Sequence, residues 1–178
     1  MKYFFDTEFI EDGKTIDLIS IGIVAEDGRE FYGINWNCKF ELADDWVKEN
    51  VIASLPFQPL DYPKNNNRYN WYTKSHLTYS VAEFFGCEYS GSSYKLKINE
   101  EIPEIWADFC SYDWVALCQL FGKMIDLPKR FPYYCNDIQQ LIRTNNKQIN
   151  LPDQKIGIHN ALDDARYVKQ LYECITNG

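Results

Sequence analysis

The segment Lys2-Tyr3-Phe4-Phe5-Asp6-Thr7-Glu8 decides how the rest of the chain is read. Its aromatic run predicts a short buried strand over 2–5 that ends at Asp6. Residues i and i+2 of a strand point the same way, so Asp6 and Glu8 present two carboxylates on one side. Two acids on one face oppose folding unless something cationic lies between them. A hard divalent ion such as Mg²⁺ or Mn²⁺ suits oxygen donors of this kind. Taken alone, a solvated strand end with a chance Asp-x-Glu explains the motif about as well.

Working outward, the isoleucine-rich stretch 15–24 predicts a second, central strand. Asp27-Gly28 signals a turn, and 29–36 completes a hairpin as the third strand. A helix is expected over 44–52 with Asp44 as its N-cap, then a long polar loop over 56–75. Residues 78–87 predict a helix with Val81, Phe84 and Phe85 on one face, and 104–110 a fourth strand. Ser111 is read as the cap of a helix over 112–121 that Gly122 ends. A short strand over 133–135 precedes a helix over 137–144. The last helix, 160–176, carries Leu162, Ala165, Val168, Leu171 and Tyr172 at helical spacing. This order describes an α/β chain: an antiparallel meander of three strands plus parallel strands, in a mixed sheet flanked by helices. It is compatible with a ribonuclease H-like fold. No internal repeat divides it, and residues 1–178 are expected to form one domain.

Composition narrows the function. The 13 Tyr, 11 Phe and 5 Trp serve equally for core packing and for stacking on bases, and they permit a homodimer face. No apolar run approaches the ~20 residues that span a bilayer, and with an acid at Asp6 no signal peptide is expected. A cytoplasmic protein without a membrane partner is expected. The six cysteines include no Cys-x-x-Cys pair and the chain has two histidines, which argues against zinc and for reduced thiols. The net charge of −8 argues against a wide duplex-binding face. It leaves room for an enzyme that grips one chain end, where bound metal ions supply positive charge.

Three further residues stand out. Asp113 follows Tyr112 where the fourth strand turns into a helix, and alone it reads as an acid complementing the helix dipole. His159 and Asp164 flank the start of the last helix in His159-Asn160-Ala161-Leu162-Asp163-Asp164. Helix-start electrostatics accounts for Asp163 well and Asp164 passably, but not for His159. In this order the residues resemble the DEDDh 3′-5′ exonuclease superfamily, whose motifs are D-x-E, an aromatic followed by Asp, and H-x4-D. Thr-Gly does not follow the first motif and no Asn shortly precedes Asp113, unlike many members. The strings Asp6-Thr7-Glu8-Phe9-Ile10-Glu11-Asp12-Gly13 and Tyr112-Asp113-Trp114-Val115-Ala116-Leu117 are similar to a narrower family. That family is the RNase AS-like exoribonucleases of mycobacteria, associated with adenylate-rich RNA.

The resemblance implies hydrolysis at the 3′ end of single-stranded RNA to nucleoside 5′-monophosphates, with two Mg²⁺ ions or Mn²⁺ as a substitute. Asp6, Glu8, Asp113 and Asp164 are the expected metal ligands, with Asp6 bridging. His159, whose ordinary pKa of ~6.5 suits a general base, is expected to deprotonate the attacking water. Phe9 is a candidate contact to the terminal ribose, and Arg68, Trp71 and Tyr72 in the polar loop are candidates for phosphate and base. The competing expectations are an exonuclease of DNA or short oligonucleotides, a catalytically silent binding module, and acids placed by coincidence.

Overall fold

The computed structural model describes residues 1–56, 70–145, 150–154 and 157–177. Strand β1 runs over Lys2–Glu11, well past the end its aromatic run predicts, with Thr7 and Ile10 still buried past Asp6. β2 (Ile16–Ala25) and β3 (Glu30–Asn35) follow as antiparallel neighbours. Helix α1 (Asp45–Asn50) starts where expected, Asp44 accepting from the Val47 N–H at 2.8 Å.

The predicted loop over 56–75 ends earlier than expected. Its described end holds strand β4 (Trp71–Tyr72), parallel to β3, and the start of helix α2 (Lys74–Phe84). The helix starts before the expected Thr78, and Thr73 caps it by accepting from the His76 N–H. The buried Thr78 hydroxyl donates to the carbonyls of Lys74 and Leu120. The helix stops short of Cys87 because Gly86 takes a φ of 79°. Cys87 then opens a hairpin of β5 (Cys87–Tyr89) and β6 (Tyr94–Leu96), which no sequence signal suggested.

β7 (Glu104–Ala107) is parallel to β1 and leads into α3 (Ser111–Phe121), ended by Gly122. Ser111 is the first residue of this helix, and Cys110 occupies the cap position without a side-chain bond. The short strand lies at β8 (Asn136–Asp137) and not at 133–135, where Tyr133 and Tyr134 stand exposed. Asp137 caps α4 (Ile138–Thr144), and α5 (Ala161–Asn177) closes the chain. Among the described residues the main sheet is mixed, six strands in the order β4-β3-β2-β1-β7-β8, flanked by five α-helices. Among the described residues no helix is long and apolar enough to cross a membrane.

Alternation along β1 separates two cores. Tyr3 and Phe5 join Leu77, Val81, Leu117 and Leu120 under α2 and α3. Phe4 points the other way, onto Val168 and Leu171 of α5 and Ile138 of α4. The buried stripe of α5 is Ala161, Ala165, Val168, Leu171 and Ile175, so Leu162 and Tyr172 sit at its margins. Arg166 clamps the helix to the sheet through both oxygens of Glu30, at 2.9 and 2.6 Å.

Gly22 permits the closest approach. A Cβ there would lie 2.2 Å from the Ala161 carbonyl oxygen at the start of α5. Gly22 pairs with Asp6 across the β1–β2 ladder, so the same contact sets the height of α5 over the acids. Gly22→Ala is expected to destabilise the protein by about 1–3 kcal/mol through overpacking. The measurement is urea unfolding; an unchanged midpoint and slope would mean that α5 withdraws from β2 without penalty.

Candidate active site

β7 pairs with β1 from Lys2 to Phe4, and among the described residues the middle of β1 has no strand partner on that side. Asp6 and Glu8 lie in this stretch and face α5, on the side that Phe4 faces. Asp164, in the first turns of α5, completes the cluster. Oxygens of Asp6, Glu8 and Asp164 lie within 4.8 Å of one another. A register shift between Glu8 and Phe9 then turns the strand, a bulge of the kind that re-aims side chains beside functional sites.

Asp113 arrives from the opposite side of the sheet, on the first turn of α3. Its Oδ1 accepts from the Thr7 N–H at 2.9 Å and from the Thr7 hydroxyl at 2.7 Å. The Thr7 amide that a longer β7 would have paired is thereby satisfied by a carboxylate. Both bonds land on one oxygen, so Thr7 leaves Asp113 Oδ2 for other partners. Asp113 stands beside the three clustered acids and is not one of that close group.

His159 precedes α5 in a turn and takes a φ of 66°, a left-handed conformation that non-glycine residues seldom adopt. Asn160 secures the turn, its side-chain oxygen accepting from the Leu162 and Asp163 N–H groups. The Trp46 ring meets the imidazole edge-on, with centroids 4.8 Å apart at 80°. His159 and the four acids line one cleft of about 540 Å³. Leu42, Trp46 and Ile158, all exposed, form one lip of it. Phe9 also lines the cleft, its ring stacked nearly parallel to Tyr112 at 5.8 Å.

Burial and mutual repulsion shape the electrostatics. Burial, then the charges of Asp113, Glu8 and Asp164, hold the Asp6 pKa well above the usual carboxylate range. Burial and Asp164 push Glu8 up to about 8. Burial raises Asp113 to about 6, against the lowering effect of its Thr7 hydrogen bonds. Asp164 is raised by burial and partly relieved by the Gln154 amide and by His159. No lysine or arginine is among the described residues that line the cleft. A donor set of clustered carboxylates, each resisting ionisation for want of a nearby cation, fits a hard divalent ion.

The other substrate candidates fall elsewhere. Trp71 is 3% exposed, enclosed by Trp36 and Phe40, with its indole N–H donating to the Pro56 carbonyl. A ring so enclosed is not presented to a base. Tyr72 packs on Phe31 at the far edge of the sheet, and neither residue lines the cleft. Arg68 lies outside the described residues. Sequence reasoning missed Trp46, Thr7 and Gln154. Only Trp46 carried a signal, a large ring at the second position of a short, acid-rich helix.

The chain matches a family described as the 3′-5′ exoribonuclease Rv2179c-like domain over residues 1–176. It is 37% identical over 177 residues to the 3′-5′ exoribonuclease Rv2179c of Mycobacterium tuberculosis strain H37Rv. The 3′-5′ exoribonuclease MT2234.1 of strain CDC 1551 matches at the same 37% identity. The match covers 99% of this chain and 94% of each relative.

The raised carboxyls set a pH dependence whose sign follows from linkage. A carboxyl with a raised folded pKa binds its proton more tightly folded than unfolded, so its stabilising effect is lost as pH rises through the folded pKa. For Glu8 the window runs from 4.5 to about 8, and for Asp113 from 3.8 to about 6. Protein in EDTA is expected to melt at a lower temperature at pH 8 than at pH 5. Mg²⁺ or Mn²⁺ is expected to raise the melting temperature more at pH 8. A melting temperature in EDTA that is flat or rises over this range, with no gain from either ion, contradicts the cluster as a metal site.

Proposed function

The chain belongs to the Rv2179c-like 3′-5′ exoribonucleases, and from that premise we propose that it removes nucleotides one at a time from the 3′ end of single-stranded RNA. The observation that carries this reading is the convergence of Asp6, Glu8 and Asp164 within 4.8 Å in a cleft that His159 also lines. Asp6, Glu8 and Asp164 would hold one Mg²⁺ and Asp113 a second, Mn²⁺ substituting, and the bound ions supply the positive charge that phosphodiester hydrolysis needs at the phosphate and the leaving oxygen.

The protein's own groups supply the rest. His159 accepts the proton of the attacking water, with Trp46 and the Asn160-capped turn holding its ring in place. A bond forms between the water oxygen and phosphorus as the bond to the upstream 3′ oxygen breaks, and a nucleoside 5′-monophosphate leaves. The exposed lip of Leu42, Trp46 and Ile158 offers apolar surface to the terminal base. Glu8 and the backbone at Phe9 are suited to the terminal ribose, where a contact to the 2′-OH distinguishes RNA from DNA. A preference for adenylate-rich RNA follows from the likeness to the mycobacterial family.

A time course with 3′-tailed RNA and the matching DNA, each in Mg²⁺, Mn²⁺ or EDTA, tests this. A metal-dependent ladder shortening from the 3′ end of RNA is the expected result, with oligo(A) degraded fastest among homopolymers. Cleavage of DNA alone would move the substrate class. No cleavage by folded protein would favour a silent binding module. His159→Ala is expected to lower turnover by about 10²–10⁴-fold, the usual range for a general base, while leaving the thermal shift by Mn²⁺ intact. Asp6→Asn should remove both; an active Asp6→Asn enzyme would overturn the site assignment.

A further inference from the structure

A second groove, of about 480 Å³, lies between Phe109 and the face of α4 that carries Gln139, Gln140, Arg143 and Thr144. Resting on the exoribonuclease reading above, we propose that it is a subsite for the RNA upstream of the terminal nucleotide, with Phe109 stacking on a base and Arg143 meeting a phosphate.

Phe109 is 67% exposed, unusual for a large apolar ring, and its backbone takes a φ of 48°. A bulky residue in the left-handed region is an outlier that the surrounding structure must enforce. Here both neighbours are tied to α4. The Asp108 carboxylate accepts from the Gln139 amide at 2.8 Å, and the Cys110 N–H donates to Asp137 at 3.0 Å. The ring is therefore held out to solvent by a rigid loop, which suits a preformed stacking platform.

The groove shares no lining residue with the acid cleft, and the chain between Phe109 and Asp113 links the two. The loop that presents Phe109 runs directly into Asp113, and the Asp108 charge is felt at both Asp6 and Asp113. A strand whose 3′ end occupies the cleft would reach this groove by passing Asp113 and Phe109. Its lining carries one cation, Arg143, and one acid, Asp137. The Asp137 carboxylate is taken up by the N–H groups of Cys110, Gln139 and Gln140. Arg29 pairs with Asp27, Arg166 with Glu30 and Asp163, and Arg130 donates to the Lys97 and Glu100 carbonyls. Arg143 is the arginine with no hydrogen bond or ion pair among the described residues. An exposed ring, an unspent guanidinium and two side-chain amides in one groove match the alternating base and phosphate of a single strand.

The experiment compares kcat/KM on a dinucleotide with that on a six-nucleotide RNA in Mn²⁺, for the full-length enzyme and for Phe109→Ala, Phe109→Trp, Arg143→Ala and Arg143→Glu. Wild-type enzyme is expected to favour the longer RNA. Phe109→Ala and Arg143→Glu should lower the ratio of long to short about tenfold each, the loss of one stacked base or one phosphate contact. Phe109→Trp, which keeps a ring, should restore it. Arg143→Ala should also reduce the slope of log KM against log salt by about 0.7 on the longer RNA. Variants that keep the wild-type ratio and salt slope overturn the subsite and leave the active-site reading standing. Failure of the wild-type enzyme on both substrates overturns that reading itself, before any variant is compared.

Discussion

Asp6, Glu8 and Asp164 bring like charges within 4.8 Å of one another. At such a separation and an effective dielectric of ~20, two unit charges repel by roughly 3–4 kcal/mol. The elements that hold these acids are correspondingly firm. β1 lies in the middle of the sheet, with β2 along its whole length and Phe4 and Phe5 buried on opposite faces. α5 is fixed by the close contact at Gly22 and by the Arg166–Glu30 pair. Both supports oppose a shift that would spread the charges apart. Burial and the charge of Asp164 raise the Glu8 pKa to about 8, so the cluster holds protons more tightly than free carboxylates do.

The same constraint accounts for the protein's charge. A net charge of −8 is unfavourable for gripping RNA along a broad face. The cleft does not contradict this, since its described lining has no lysine or arginine and is acidic at the floor and apolar at the lip. On the proposed reading, affinity for a chain end would rest on divalent ions at the acids and on rings at the rim. The aromatic count divides accordingly. Tyr3, Phe4, Phe5 and Phe85 are core, while Phe9, Trp46 and Tyr112 stand at or beside the cleft.

Much of this arrangement was legible because it depends on short-range periodicity. The period-two alternation of β1 placed Asp6 and Glu8 together, and the start of α5 placed His159 and Asp164 near each other. The meander and the mixed sheet followed from the same patterns. Features set by distant contacts were not legible. Thr7 and Asp113 are 106 residues apart, and nothing local marks either as the other's partner. Thr73 and Thr78 are both of a residue type that caps helices, and nothing local decides between them; the Leu120 carbonyl, available only in the folded chain, occupies Thr78. Trp71 sits among polar residues and reads as exposed. It is buried because β4 pairs in parallel with β3, a pairing set by a long connection rather than by neighbouring residues.

The Thr7–Asp113 contact shows how an interruption of regular structure positions chemistry. Had β7 continued beside β1, Thr7 would have given its N–H to a backbone carbonyl, and a strand would have covered the edge at Asp6 and Glu8. β7 stops at Ala107, and the chain turns through Asp108, Phe109 and Cys110 into α3. A buried amide left by that ending would be destabilising. Asp113 supplies its acceptor from the helix that replaces the strand. One carboxylate thus completes the hydrogen bonding of the sheet edge and joins the wall of the cleft. Regular pairing carries β1 up to the acids, and its early end leaves them accessible.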